Sequence, residues 1–202
     1  MVFCKRKPMK NYLHNRFNSN DLPSPIVIPH FSRTDLAKLF AELKFTKGAE
    51  IGVKRGEYSR VLCEVNKDLE HICVDPWKKY SSYDGHLRST EKVNKYYSNC
   101  LKVLSDFNVR YIIKKSEDAV KEVELESLDF VHIDANHSYE AVKFDVENWS
   151  LRVRVDGIIS GHDYLQGIRG VFKYINELIA QGVEVFVTDE TIPSWFFAKG
   201  KD

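Results

Sequence analysis

Val131-His132-Ile133-Asp134-Ala135-Asn136-His137 and Ser160-Gly161-His162-Asp163-Tyr164 are two stretches in which an apolar run stops abruptly on carboxylates and imidazoles. Apolar runs without alternation mark strands covered on both faces, the usual state of a parallel sheet. Between them Tyr139, Val142, Val146 and Trp149 recur at helical spacing, so residues 128–164 read as strand, helix, strand. Such a crossover makes the two strands parallel. Asp134 and Asp163 are therefore expected at the same edge of one sheet, where open α/β folds bind ligands.

Working outward, residues 49–53 form a short apolar strand that runs into Lys54-Arg55-Gly56 and a helical pattern through Val61, Leu62 and Val65. Residues 71–75 give a second strand ending on Asp75, and the polar loop at 78–90 is long enough to act as a lid. A helix over 91–107 is expected to turn Val93, Tyr97, Cys100, Leu101 and Leu104 inward. Further strands are expected at 110–114, 128–134, 157–160, 183–188 and 194–199, the last two as an antiparallel hairpin around Pro193. A short helix at 118–123 and another through Ile168, Phe172, Ile175 and Ile179, stopped by Gly182, complete the pattern. The predicted fold is α/β: a doubly wound, mostly parallel, seven-stranded sheet with helices on both faces and a C-terminal antiparallel hairpin.

Ahead of this, Ser32 or Thr34 can cap a helix whose stripe is Leu36, Leu39, Phe40 and Leu43. Residues 1–30, basic at first and then carrying Pro23, Pro25 and Pro29, read as an extended arm. That leaves 31–202 as a single domain.

With 202 residues, 43% of them hydrophobic, the chain can bury one sizeable core without splitting. Thirty basic and twenty-nine acidic residues give a net charge of +1, so no global field draws it to nucleic acid or to an anionic membrane. An RNA-binding reading would rest on Lys5-Arg6-Lys7 and Arg16 clamping phosphates, and the balanced charge argues against it. No run reaches transmembrane length. Cys4, Cys63, Cys73 and Cys100 lack C-x-x-C spacing, and the basic N-terminal cluster is followed by no apolar signal segment. The expected location is the cytoplasm, where Asn136-His137-Ser138 and Asn148-Trp149-Ser150 are idle as glycosylation patterns. Assembly into a homo-oligomer is left open.

Glu50-Ile51-Gly52-Val53-Lys54-Arg55-Gly56 has the spacing G-x-x-x-G and lacks the three-glycine fingerprint of dinucleotide sites, which disfavours NAD-type cofactors. Two glycines could equally serve a tight strand-to-helix turn alone. Asp75 ends its strand some twenty-five residues after Glu50, a spacing that suits a ribose contact, or it serves the turn before Pro76.

Taken together, several pieces resemble the class I S-adenosylmethionine-dependent methyltransferases. They are Glu50-Ile51-Gly52, Val74-Asp75-Pro76-Trp77, Ser116, the run from Asp129 to Tyr139, Asp145 with Trp149, and Gly161-His162-Asp163-Tyr164. The resemblance spans about residues 45–200 and is nearest the subgroup of macrocin-type sugar O-methyltransferases and cephalosporin-hydroxylase-like proteins. It implies S-adenosyl-L-methionine as cofactor, with Glu50 and Gly52 at the methionine end, Asp75 on the ribose and Ser116 near the adenine. Ile51, Val53, Gly56, Pro76, Trp77 and Asp134 would complete that site.

The resemblance further implies a divalent metal at Asp134 and Asp163. Oxygen ligands suit magnesium, whereas His162 as a third ligand shifts the preference toward softer ions such as manganese. Asn136 stands where some relatives carry an acid, and an amide cannot serve as a base. His137 then becomes the candidate base, as a neutral imidazole near pH 7, with Asp134 and His162 as its catalytic neighbours. The implied activity is metal-assisted O-methylation of a hydroxylated small molecule, such as a sugar or a natural product. The alternatives are an RNA methyltransferase using the basic N-terminal arm and, from another class, a non-catalytic protein that binds S-adenosylmethionine, or nothing, and acts through partners, for which Asn136 and Lys115 leave room.

Overall fold

The computed structural model describes residues 8–78 and 89–200. The Lys5-Arg6-Lys7 cluster and the 79–88 part of the expected lid lie outside the described residues. One sheet contains β1 (Ile26–Ile28), β2 (Lys47–Ile51), β3 (Glu70–Val74), β4 (Val109–Ile112), β5 (Leu128–Ile133), β6 (Val153–Gly161), β7 (Phe186–Thr188) and β8 (Trp195–Ala198). Their order across the sheet is β1-β7-β8-β6-β5-β2-β3-β4. Pairings are parallel except those of β8, which runs antiparallel to both β6 and β7. The hairpin expected at the C-terminus is thus present, and its second strand is inserted between β7 and β6.

Alternation along each strand sorts the core into two layers. Val131 and Ile133 of β5 pack with Val142, Val146 and Trp149 of α6 (Tyr139–Ser150) and with Val171 and Ile175 of α7 (Arg169–Ala180). Phe130, pointing the other way, stacks on Phe40 with ring centroids 4.2 Å apart. That face is covered by α1 (Met9–Phe17), α2 (Arg33–Glu42) and α3 (Glu57–Val65). Beside them α4 (Thr90–Val103) covers Cys73 and Trp77. The short α5 (Ser116–Ala119), continued by a 3-10 turn at Val120–Glu122, joins the α6 and α7 layer. Ser32 caps α2 in a reciprocal box with Asp35, and Gly182 ends α7 in the left-handed region (φ 94°).

Three expectations are corrected. Among the described residues the sheet has eight strands rather than seven, because residues 8–30 of the expected arm fold onto the core. Ile26-Val27-Ile28 pairs with β7 as an edge strand, where neighbouring prolines do no harm since one side of the ladder faces solvent. Its burial alternates, Ile26 and Ile28 inward and Val27 outward. Ahead of it α1 buries Met9 and Leu13, and His14 Nε2 meets Glu184 Oε2 at 2.6 Å. Finally, α4 ends at Val103, and Leu101 faces outward at 38% exposure. The inner row of α4 is Val93, Tyr97 and Cys100, with Leu104 just past its end packing alongside, and Leu101 lies about 100° around the helix from Cys100.

Since α1 is part of the core, Leu13→Ala is expected to cost about 2–5 kcal/mol, the range for truncating a fully buried leucine. A trailing arm would move stability by less than about 0.5 kcal/mol. Urea midpoints of the two proteins decide between these values.

Candidate active site

The parallel pairing of β2 with β5 and of β5 with β6 brings three strand ends to one edge of the sheet. Past those ends opens a cleft of about 1350 Å³ whose lining includes Arg33, Glu50, Gly52, Asp75, Asp134 and Asp163. The remaining expected cofactor positions Ile51, Val53, Pro76, Trp77 and Ser116 also line it, and Gly56 lies one turn away as the N-cap of α3.

The first turn is held by backbone contacts. Gly52 N–H donates to Val74 O at 2.8 Å, and Asp134 N–H donates to Ile51 O at 2.7 Å. Gly52 has φ 92°, and a Cβ there would lie 2.1 Å from the Asp134 carbonyl oxygen. Only glycine satisfies both demands. Asp75 accepts from Lys54 N–H at 2.9 Å and from Trp77 N–H at 2.8 Å, while the Trp77 indole donates to Lys54 O at 2.8 Å. Asp75 therefore braces the turn while it also lines the cleft.

Glu50 is 2% exposed. The Ser59 hydroxyl donates to its carboxylate and lies 3.0 Å from His71 Nε2. Burial pushes the Glu50 carboxyl up to about 8, with the Ser59 bond opposing that shift. Burial alone lowers His71 to about 3, so it is neutral. At the far end of the cleft Ser116 donates to Asp145 and accepts from the Trp149 indole at 2.8 Å. Burial raises Asp145 to about 7. Ser116 is thus fixed in place by two α6 residues.

Asp134 and Asp163 meet as expected. Together with His162 they bring carboxylate oxygens and Nδ1 within 4.8 Å of one another. His162 Nδ1 is 3.1 Å from Asp163 Oδ1 and 3.8 Å from Asp134 Oδ2. His137 Nε2 is 2.9 Å from Asp163 Oδ2 and 3.6 Å from Asp134 Oδ1, at angles that leave it without a proper hydrogen bond. Burial opposes the charged form of His137, but the two carboxylates outweigh burial and push it up to about 9. The neutral base expected from the sequence is therefore an imidazolium at pH 7 in this arrangement, because two anions flank it. Burial likewise works against the Asp163 anion, yet His137 and His162 hold it well below the usual carboxylate range. Asn136 accepts from Ser138 N–H at 3.0 Å and so shapes the entry to α6.

Two carboxylates and one imidazole converging in this way fit a divalent cation, and their mixed oxygen and nitrogen donors suit manganese at least as well as magnesium. The glycine-lined approach at Gly52 and the buried acid at Glu50 fit a ligand that carries an ammonium group. Sequence spacing gave no sign of Arg33 or Tyr58. Arg33 reaches Asp134 Oδ2 at 3.4 Å from a hundred and one residues away, a contact that only the folded sheet creates.

A methyltransferase domain family matches residues 49–164, more than half of the 202 residues. No curated protein sequence matches the chain. Among solved structures, the O-methyltransferase TomG from Streptomyces achromogenes, involved in tomaymycin synthesis and solved with SAM, is 15% identical. It aligns over 98% of this chain and 93% of its own, with a TM-score of 0.59. An O-methyltransferase from Bacillus cereus in complex with SAH gives 14% identity, 98% and 94% coverage and a TM-score of 0.59. Spermidine synthase from Thermotoga maritima also aligns, with 18% identity, 86% and 61% coverage and a TM-score of 0.58. At these identities the likeness establishes the fold alone, which several chemistries share. With the family match covering the cleft-forming segment, the chain belongs to the methyltransferase domain family and is an S-adenosylmethionine-dependent methyltransferase of class I fold.

Proposed function

We propose that the protein transfers a methyl group from S-adenosylmethionine to a hydroxyl of a small molecule, such as a sugar or a natural product, with a divalent cation at Asp134, Asp163 and His162. The observation that carries this reading is the convergence of those three side chains on one point of the cofactor cleft rim. S-adenosylmethionine supplies a methyl already activated on a sulfonium, so the protein's contribution is mainly alignment and exclusion of water. A bound cation would lower the pKa of an acceptor hydroxyl and hold it in place.

The remaining tasks fall to side chains. Glu50 and the Gly52 turn orient the amino-acid end of the cofactor, and Asp75 faces its ribose. Ser116, pinned by Asp145 and Trp149, closes the adenine end. His137 takes the acceptor's proton at Nε2 once the charge on Asp134 and Asp163 is offset, because those two carboxylates are what keep it protonated.

Asp163→Asn is expected to lower the methylation rate of a catechol or sugar panel by about 100-fold or more, leaving S-adenosylhomocysteine affinity within about threefold of the parent. EDTA should abolish the parent's activity, and manganese or magnesium should restore it. A variant as fast as the parent, with activity indifferent to EDTA, removes the metal from the mechanism.

Glu50 gives a second test. Its folded pKa of about 8 lies above the ordinary 4.5, so between those pH values the folded chain keeps a proton that the unfolded chain has released. Stability contributed by this group is complete below about pH 4.5 and declines as pH rises to 8. Glu50→Gln lacks that decline, so its stability relative to the parent should rise from pH 5 to pH 8.5 by a margin on the order of 4 kcal/mol. Urea unfolding of both proteins at the two pH values measures it. A constant difference would mean that Glu50 is ionised in the folded protein throughout.

A further inference from the structure

The methionyl end of S-adenosylmethionine carries an ammonium and a carboxylate on one carbon, so a complementary site sets an acidic group beside a basic one. Glu50 is the acidic group in the function proposed above, on which this inference rests. Arg33 opens α2 and lines the same cleft. Its guanidinium carbon sits 4.6 Å above the centre of the Tyr58 ring, an aromatic support that fixes the plane of the fork. Tyr58, the second residue of α3, donates its hydroxyl to the Arg33 carbonyl at 3.2 Å, and Arg33 N–H donates to Glu190 at 2.7 Å. Backbone and ring are therefore both anchored.

The side chain itself is sparsely used. Among the described residues its hydrogen bonding is one long contact from Nη1 to Asp134 Oδ2 at 3.4 Å, although a guanidinium offers five donors. The side chain is 30% exposed, toward the cleft. A planar fork braced on an aromatic ring, beside a buried acid and with most donors unspent, is built to take a carboxylate in two parallel hydrogen bonds. We infer that Arg33 receives the carboxylate of the cofactor's methionyl group while Glu50 takes its ammonium. The support from Tyr58, which follows directly on the Gly52–Gly56 turn, puts Arg33 on the cofactor side of the cleft rather than the acceptor side. Residue 33 lies ahead of the matched segment 49–164, so this contact comes from a helix that the family pattern does not include.

Calorimetric titration with S-adenosylhomocysteine and with its decarboxylated analogue, which keeps the ammonium, tests the assignment. The parent should bind the decarboxylated analogue about 10- to 100-fold more weakly, the range for one charge-assisted pair. Arg33→Met should lose about that factor for S-adenosylhomocysteine and stay within about threefold for the analogue, with Arg33→Lys in between because it keeps the charge without the fork. The parent's preference between ligands needs no variant, so a misfolded Arg33→Met would not shield the proposal. A parent that binds both ligands equally overturns the role of Arg33 alone, as does a variant that weakens both alike. A parent that binds neither ligand overturns the role of Arg33 together with the cofactor reading beneath it.

Discussion

The tight seating of the Gly52 turn against the Asp134 backbone governs the geometry of the site. The end of β2 and the end of β5 touch there with no room for one additional carbon, and β6 is registered on β5 through Ile133 and Gly161. Three strand ends are thereby fixed relative to one another before any side chain is considered. Glu50, Asp134 and Asp163 inherit their spacing from backbone ladders rather than from flexible loops. A site that must align a donor with an acceptor gains from such a base, since small misplacements of the reacting groups are expensive in rate.

Within that frame the ionisable groups are held in different charge states by different means. Burial favours the neutral forms of Glu50 and Asp145, while two imidazoles keep Asp163 an anion. Behind the cleft runs a buried polar seam. His71 joins Ser59 and Glu50, the Tyr58 ring lies 4.5 Å from His132, and His132 Nδ1 meets Ser160 at 3.1 Å. Nδ1 of His71 and Nε2 of His132 have no hydrogen-bond partner among the described residues, a penalty of about 1–3 kcal/mol for each. A purely apolar sheet interior would avoid that penalty. The seam supports the acid at the head of the cleft instead.

Much of this organisation was legible in the sequence where local rules apply. Apolar runs ending on charge located β2, β3, β5 and β6, and the crossover rule placed Asp134 and Asp163 on one edge. Legibility failed where long-range pairing decides. Ile26-Val27-Ile28 is too short and too hemmed by prolines to signal a strand until β7 is there to pair with it. His137 reads as a neutral base until the fold sets two carboxylates against its ring. Arg33 belongs to no spacing pattern, and its neighbours Tyr58 and Asp134 come from two different strand-to-helix junctions.

The insertion of β8 between β6 and β7 bears on how the chain reaches this state. Ile26 pairs with Phe186 across a hundred and sixty residues, and among the described residues β1 has no other partner in the sheet. During synthesis β1 must therefore wait, unpaired, until residues 186–188 have emerged. Closing so wide a loop slows the search for the native topology. Meanwhile α2 can gather on β5 through Phe40 and Phe130, so the central part of the sheet is free to assemble first and the outer rim of β7, β8 and β1, with α1 against β6 and β8, to add last.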